Sequence, residues 1–230
     1  NNIVDPFIGV MAIALFWRGL QTGSRHMMAL GGVFLGLTAY FYEGGRLLYP
    51  ALIIGWLILY ALIHNWKVPK RAIAVFFATT MLIASGFYLS LAVWGFQNLT
   101  PRLMQQRVDD DFWAEFFTSE DTFAQVLRYV DERLNPPYFH IMSQPDGSGF
   151  YYSREVGLVL PQMLPFLLIG VGVALFYWRG LGLILPLWLM LTVLGNSLID
   201  WNNWTPRFVV LFPALVLIMA LGLEALYRTI

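Results

Sequence analysis

Polar residues that could bind an anion stand between two apolar runs, in the stretch GLTAYFYEGGRLLYP, Gly36 to Pro50. The guanidinium of Arg46 offers a planar fork of donors to phosphate oxygens, and the hydroxyls of Tyr40 and Tyr42 could add hydrogen bonds. Glu43 lies three residues before Arg46, so an ion pair within one helical turn, flanked by interfacial tyrosines, is the alternative. The sequence leaves both interpretations open.

A second candidate cation, Arg207, follows the stretch WNNWTP at the start of the last apolar run. It could line the same anion site as Arg46, together with Asp200, because charged residues at the edge of a membrane often mark function. The alternative is that the Arg207 side chain simply extends to the membrane surface.

Metal and redox sites are poorly supported. The chain has no cysteine, and its histidines, His26, His64 and His140, all lie outside the centres of the apolar runs. The run Asp109–Asp111 cannot easily converge on one ion, because consecutive helical residues point about 100° apart; acids in an early helical turn are the preferred interpretation. We therefore expect no metal site and no cofactor, and leave a divalent cation open.

The elements that position these residues are expected to be membrane helices. Apolar residues make up 58% of the chain and charged residues 12%, against about one quarter charged in soluble domains. The formal net charge is zero, which gives no indication of a nucleic-acid partner. The fold class we predict is all-α, a polytopic transmembrane helical bundle.

Seven apolar runs are candidates for spans, since a crossing helix needs about 20 mostly apolar residues. They are Phe7 to Leu20, Met27 to Tyr42, Leu47 to Ile63, Ala72 to Phe96, Leu158 to Trp178, Leu181 to Ile199 and Phe208 to Leu226. They divide the chain into transmembrane helices one to four (1–96), a polar segment (97–157) and helices five to seven (158–230). Glycines within the runs, Gly32, Gly36, Gly170 and Gly172, are expected to permit close helix packing.

When the loops between these spans are assigned alternately to the two sides of the membrane, basic and acidic residues fall on different sides. One side receives seven basic residues and a single acid, Glu224, whereas the other receives thirteen of the fourteen acids. The positive-inside rule makes the first side cytoplasmic, so the segment 97–157, Arg46 and Arg207 are predicted to be extracytoplasmic. An odd number of spans then places the N-terminus outside, as expected for a piece of a longer protein.

The polar segment has helical patterns of its own. Thr118 to Asp121 resemble an N-cap with first-turn acids, and apolar residues then recur at helical spacing from Phe123 to Leu134. This predicts an amphipathic helix lying on the outer leaflet or on the bundle, which should end at Asn135, Pro136 and Pro137. A second short helix is predicted over Arg102 to Phe117.

The order of these features resembles bacterial GT-C glycosyltransferases, in particular the protein mannosyltransferase-like group that includes the aminoarabinose transferase acting on lipid A. The resemblance is carried by GLTAYFYEGGRLLYP, NLTPRLMQQR, FAQVLRYVDERL, DGSGFYYS, LPQMLPFLLIGVGVAL and the final run LPLWLMLTVLGNSLIDWNNWTPRFVVLFPALVLIMALGLEAL. It covers nearly the whole chain in order, and each motif alone is loose.

The resemblance implies an enzyme of the bacterial inner membrane that moves a sugar from a polyprenyl-phosphate donor to an acceptor on the extracytoplasmic face. The family's catalytic acid lies in the first outer loop, ahead of this chain, so it matches no residue here. Such transfer needs a carboxylate to activate the acceptor and cations to stabilise the lipid phosphate. Arg46, Arg207 and Arg107 could supply the cations, and Glu43 or Asp200 the carboxylate.

The expected partners are membrane lipids, the polyprenyl-phosphate sugar, and either a preceding part of the protein or another membrane chain. Two other functions stay open. One is a non-catalytic membrane subunit of a larger complex; the other is a transporter of lipid-linked intermediates, which polar or broken spans near the midplane would favour. The spans here are polar mainly at their ends, which counts against transport.

Overall fold

The chain folds into helices throughout the part that the structure describes. A computed structural model describes residues 4–95, 99, 110–119, 121–143, 157–176, 181–198 and 205–229. Within these ranges the regular elements are all helical and no strand occurs. The predicted all-α fold class is therefore confirmed.

Long helices flank shorter ones along the chain. The first part forms α1 (Val4–Thr22), α2 (Arg25–Leu37), α3 (Glu43–Ile63) and α4 (Lys70–Trp94). The polar segment contributes α5 (Asp110–Thr118), α6 (Thr122–Tyr129) and α7 (Asn135–Met142), and the last part forms α8 (Leu164–Phe176), α9 (Ile184–Ser197), α10 (Thr205–Phe208) and α11 (Phe212–Thr229). A 3-10 turn, Val209–Leu211, joins α10 to α11.

Three helices are long and apolar enough to cross a membrane: α3, α4 and the continuous helix Val209–Thr229. Shorter apolar helices cover Pro161–Phe176 and Ile184–Ser197. These features identify a membrane protein. The count of seven spans and the extracytoplasmic position of the segment 97–157 stay predictions.

Glycines bring two pairs of helices into close contact. A Cβ built on Gly32 of α2 would lie 2.0 Å from Oγ1 of Thr79 in α4. A Cβ on Gly170 of α8 would lie 1.8 Å from the carbonyl oxygen of Ile218 in α11. The packing role expected for these glycines is confirmed, whereas Gly172 has no neighbour within 4 Å.

Buried aromatic side chains join the first four helices to the last ones. Phe16 of α1 has its ring centroid 5.8 Å from that of Trp56 in α3 and 4.6 Å from that of Phe76 in α4. Trp188 of α9 contacts the Tyr49 ring of α3, at a centroid distance of 5.6 Å. The core therefore extends through the bundle and takes buried side chains from α1 to α4, α8, α9 and α11.

The predicted end of the amphipathic helix at Asn135, Pro136 and Pro137 is wrong. The helix begins at Thr122, where Asp121 is itself the N-cap and accepts a hydrogen bond from the amide of Ala124 at 3.0 Å; the first turn holds no acid, in contrast to the expected first-turn acids. It then continues through a π-helical turn, Val130–Leu134, into α7, and the prolines occupy the first positions of α7. Proline is tolerated there because the first helical N–H groups need no partner within the helix.

The second short helix in the polar segment begins at Asp110 as far as the structure describes it, and Asp111 lies in its first turn. Because residues 100–109 lie outside the described part, the interpretation of Asp109–Asp111 as acids in an early helical turn stays a prediction. Among the described residues, no group of three histidine, aspartate or glutamate side chains could hold a metal ion. Residues 102–109 of the predicted helix lie outside the described part.

Candidate functional site

The Arg46 guanidinium is anchored at the start of α3, which follows the extended residue Tyr42. Its Nη1 donates to the Leu99 carbonyl oxygen at 2.6 Å, and its Nη2 donates to the Phe41 carbonyl oxygen at 3.3 Å. The guanidinium carbon lies 4.2 Å from the centroid of the Phe87 ring, a cation–π distance. Its Nε is buried and makes no hydrogen bond. Arg46 thus ties the polar segment to the bundle through Leu99.

The hydroxyl of Tyr40 is inserted into the backbone of α4. It donates to the Ile83 carbonyl oxygen at 2.8 Å and accepts from the Phe87 amide at 3.1 Å, the two groups that an α-helix pairs directly. Gly86 leaves room for it, because a Cβ there would lie 2.8 Å from the hydroxyl oxygen. Tyr40 therefore positions the wall that carries Phe87, whereas the half-buried Tyr42 and Glu43 flank the first turn of α3.

Asp5, which no sequence pattern marks as a site residue, is completely buried against the first turn of α3. A Cβ on Gly45 would lie 1.8 Å from its Oδ2. The amides of Tyr42 and Gly45 face the carboxylate, at geometries short of a full hydrogen bond, and the positive charge of Arg46 attracts it. Burial disfavours the charge of this carboxylate, and the partial positive charge at the N-terminus of α3 offsets part of that cost.

Asp5 belongs to a close crossing of α1 and α3, which we call the α1–α3 junction and define by Asp5, Gly9, Gly45 and Tyr49. One turn after Asp5, a Cβ on Gly9 would lie 2.0 Å from Cζ of Tyr49. The Tyr49 hydroxyl is buried and makes no hydrogen bond. Two small residues and two polar side chains thus interlock across the helices, and polar atoms are left without partners inside an apolar bundle.

Arg207 lies at the start of the last helices. It is half-buried in α10, and the ring of the next residue, Phe208, lies 5.5 Å from that of His140 in α7. Three residues further on, the Val210 carbonyl oxygen accepts a hydrogen bond from Nε1 of Trp188 at 3.1 Å. Trp188 also contacts Tyr49 of the α1–α3 junction, so the turn that follows Arg207 is linked to this junction through Trp188.

Two predicted site residues, Arg107 and Asp200, lie outside the described residues. Asp5 had only a weak signal in the sequence, an acid directly before Pro6 at the start of an apolar run. That pattern is common at helix starts and gives no hint of the contact with α3, which depends on tertiary packing.

The class of protein defined by the described residues is a helical membrane protein with a buried carboxylate, Asp5, and the half-buried Arg46 at the start of α3. Comparisons with protein-family models, with curated proteins and with solved structures find no match to this chain.

Proposed function

We propose that this chain is part of an integral membrane glycosyltransferase that moves a sugar from a polyprenyl-phosphate donor to an acceptor on the extracytoplasmic face. The observation that carries the proposal is the combination of a guanidinium and buried or half-buried carboxylates around one helical turn. Arg46, Glu43 and Asp5 provide it. A sugar transfer needs both kinds of group, because a carboxylate activates the acceptor and a guanidinium stabilises the leaving phosphate.

In the proposed reaction, an acceptor hydroxyl oxygen attacks the anomeric carbon of the donor. The bond between that carbon and the phosphate oxygen breaks, its electron pair leaves with the polyprenyl phosphate, and the hydroxyl proton passes to a carboxylate. Arg46 and Arg207 stabilise the negative charge on the departing phosphate, and Tyr42 adds a hydrogen bond. Glu43 or Asp200 takes the proton, or an acid outside this chain does so, as the resemblance implies.

Arg46 suits this role because its hydrogen bonds go to the neutral carbonyl oxygens of Leu99 and Phe41. These bonds fix the plane of the guanidinium without cancelling its charge. A donor that is fixed before the reaction loses little free energy to reorganisation when charge develops on the phosphate. Asp5 then acts as a positioning residue, because it lies against the turn that carries Arg46.

The test is transfer from radiolabelled polyprenyl-phosphate hexoses and pentoses, measured in membranes that contain the protein. Removing one donor to a developing charge typically lowers turnover by about 100-fold to 1000-fold, and we expect that loss for Arg46→Ala and Arg207→Ala. Arg46→Lys keeps the charge without the planar fork and should retain part of the activity. Arg128→Ala, on an exposed helix of the polar segment, is the matched control.

Wild-type transfer by Arg46→Ala and Arg207→Ala would remove both residues from the site. A wild-type protein that transfers none of these sugars, yet co-purifies with another membrane protein in fixed proportion, would instead favour the non-catalytic subunit.

A further inference from the structure

A large apolar groove lies toward the other end of the bundle from Arg46. Its volume is about 1350 Å³, and it runs between α1, α8, α9 and α11. Its lining includes Trp17, Leu185, Leu217 and Leu221. Arg18 also lines it, thirteen residues after Asp5 on α1 and thus about 20 Å further along the helix axis. We call it the Arg18 groove.

The charges of the groove lie at one end of it. Arg18 is exposed, and its guanidinium forms no hydrogen bond or ion pair with any described residue. The one acid in the lining, Glu224, is already paired with Arg228 one turn later on α11. The groove therefore combines apolar walls with one cation that is available to an anion.

We propose that the Arg18 groove binds an anionic phospholipid, with an acyl chain between the apolar walls and the headgroup phosphate on Arg18. The volume exceeds the 300–1000 Å³ typical of small-molecule pockets, which favours a long flexible ligand. A guanidinium binds phosphate through two parallel N–H donors. The inference concerns the opposite end of the bundle from Arg46 and does not depend on sugar transfer.

The charge distribution of the sequence supports a lipid of the cytoplasmic leaflet. The groove extends from the middle of α1 and α11 toward their C-terminal ends, and it includes the end of α8 and the start of α9; these ends are the ones assigned to the cytoplasmic side by the positive-inside rule. Anionic lipids concentrate in that leaflet, and basic pockets between helices there bind their headgroups. An apolar helix packed into the groove would leave Arg18 without an anion, so a lipid satisfies the site better.

The test measures lipids bound to the purified protein by native mass spectrometry. The protein in mild detergent is incubated with equal amounts of phosphatidylglycerol and phosphatidylcholine that carry identical acyl chains. We expect wild type to retain phosphatidylglycerol preferentially, by about fivefold, the contribution of one basic residue near a membrane surface. Arg18→Gln should remove this preference, and Arg25→Gln, an exposed arginine outside the lining, should keep it.

Variants that fill the groove test the acyl-chain site independently of the headgroup site at Arg18. Ala220→Trp and Ala14→Trp place a large side chain on an exposed lining position of opposite walls, and each should lower the binding of both lipids. Leu223→Trp, on the exposed part of α11 outside the lining, should leave it unchanged. Using two walls keeps the test valid if one variant fails to fold.

Unchanged lipid preference in Arg18→Gln would overturn the proposal. So would unchanged occupancy in both folded tryptophan variants, or a wild-type protein recovered as a lipid-free dimer, which would assign the groove to a second copy of the chain.

Discussion

Two arginines in this protein, Arg46 at the start of α3 and Arg128 in α6, meet opposite surroundings. Arg128 donates from Nη1 to Glu115 at 2.7 Å and from Nε to Glu132 at 3.1 Å. Those two carboxylates raise the pKa of Arg128 above its usual range, Glu115 more than Glu132. Arg46 instead donates to backbone carbonyl oxygens and lies against the Phe87 ring.

The charge of Arg128 is neutralised by carboxylates, whereas the guanidinium of Arg46 is oriented by hydrogen bonds to neutral oxygens. Exposed ion pairs such as those of Arg128 contribute little to stability, because water screens them, and they leave no uncompensated charge for a ligand. Carbonyl oxygens accept hydrogen bonds from Nη1 and Nη2 of Arg46 without neutralising its positive charge, and the Glu43 and Asp5 carboxylates balance part of that charge. Glu43 and Asp5 both act electrostatically on Arg46, but its hydrogen bonds go to neutral carbonyl oxygens, whereas those of Arg128 go to carboxylates.

Asp5→Asn should have the largest effect, and mainly on activity. Both carboxylate oxygens of Asp5 are buried without a full hydrogen bond, so removing the charge should leave the free energy of unfolding unchanged or raise it slightly. Transfer should fall by up to about 100-fold, because a displacement of about 1 Å in the turn carrying Arg46 can cost that much. The measurements are thermal unfolding in detergent, followed by tryptophan fluorescence, and sugar transfer in membranes.

Asp111→Asn is the control for Asp5→Asn, since α5 carries it on an exposed surface of the polar segment. A parallel loss of melting temperature and activity in Asp5→Asn would contradict the positioning role and make Asp5 a stability residue.

Gly45→Ala should give the largest loss of stability. The new Cβ would lie 1.8 Å from Oδ2 of Asp5, in a junction where both helices are fixed by packing. Overpacking of this kind costs about 1–3 kcal/mol. Gly172→Ala, with no atom within 4 Å of the new Cβ, is the matched helical control and should not lower the melting temperature.

If Gly45→Ala melts like Gly172→Ala, the close approach of Asp5 to α3 is incorrect, and the account of how Arg46 is positioned loses its basis.

Tyr40→Phe should lower stability by about 1 kcal/mol, the net value of a typical hydrogen bond. The loss stays small because the Phe87 amide and the Ile83 carbonyl can then pair directly with each other as in a regular helix. The measurement is the shift of melting temperature, with Tyr227→Phe, exposed near the end of α11, as control. A shift as large as that of Gly45→Ala would mean that Tyr40 does more than replace one helical bond.

The sequence predicted the helices better than it predicted their contacts. The apolar runs that became α3 and α4 are long and uniform, so their composition alone indicates helices that could cross a membrane. The bond from Arg46 to Leu99 joins residues 53 positions apart, and the burial of Asp5 depends on how α1 crosses α3. Neither leaves a local pattern, which is why the Glu43–Arg46 alternative stayed open at the sequence level.

The continuation of helix past Pro136 and Pro137 shows the same limit. A proline pair normally indicates the end of a helix, because each proline lacks the N–H that the helix would use. Here the π-helical turn Val130–Leu134 restarts the hydrogen-bond pattern, so the prolines fall at the first positions of α7. A change of helical pitch of this kind has no signature in residue type.

Arg128→Ala should have the smallest effect and completes the comparison with Arg46. Its ion pairs with Glu115 and Glu132 are exposed, so their loss should lower the free energy of unfolding only slightly, with sugar transfer unchanged. Salt should reduce the difference from wild type, because screening weakens exposed pairs much more than partly buried ones. Melting temperatures of both proteins at low and high salt measure this. A loss of transfer equal to that of Arg46→Ala, with the protein still folded, would remove the distinction between a neutralised arginine and an available one.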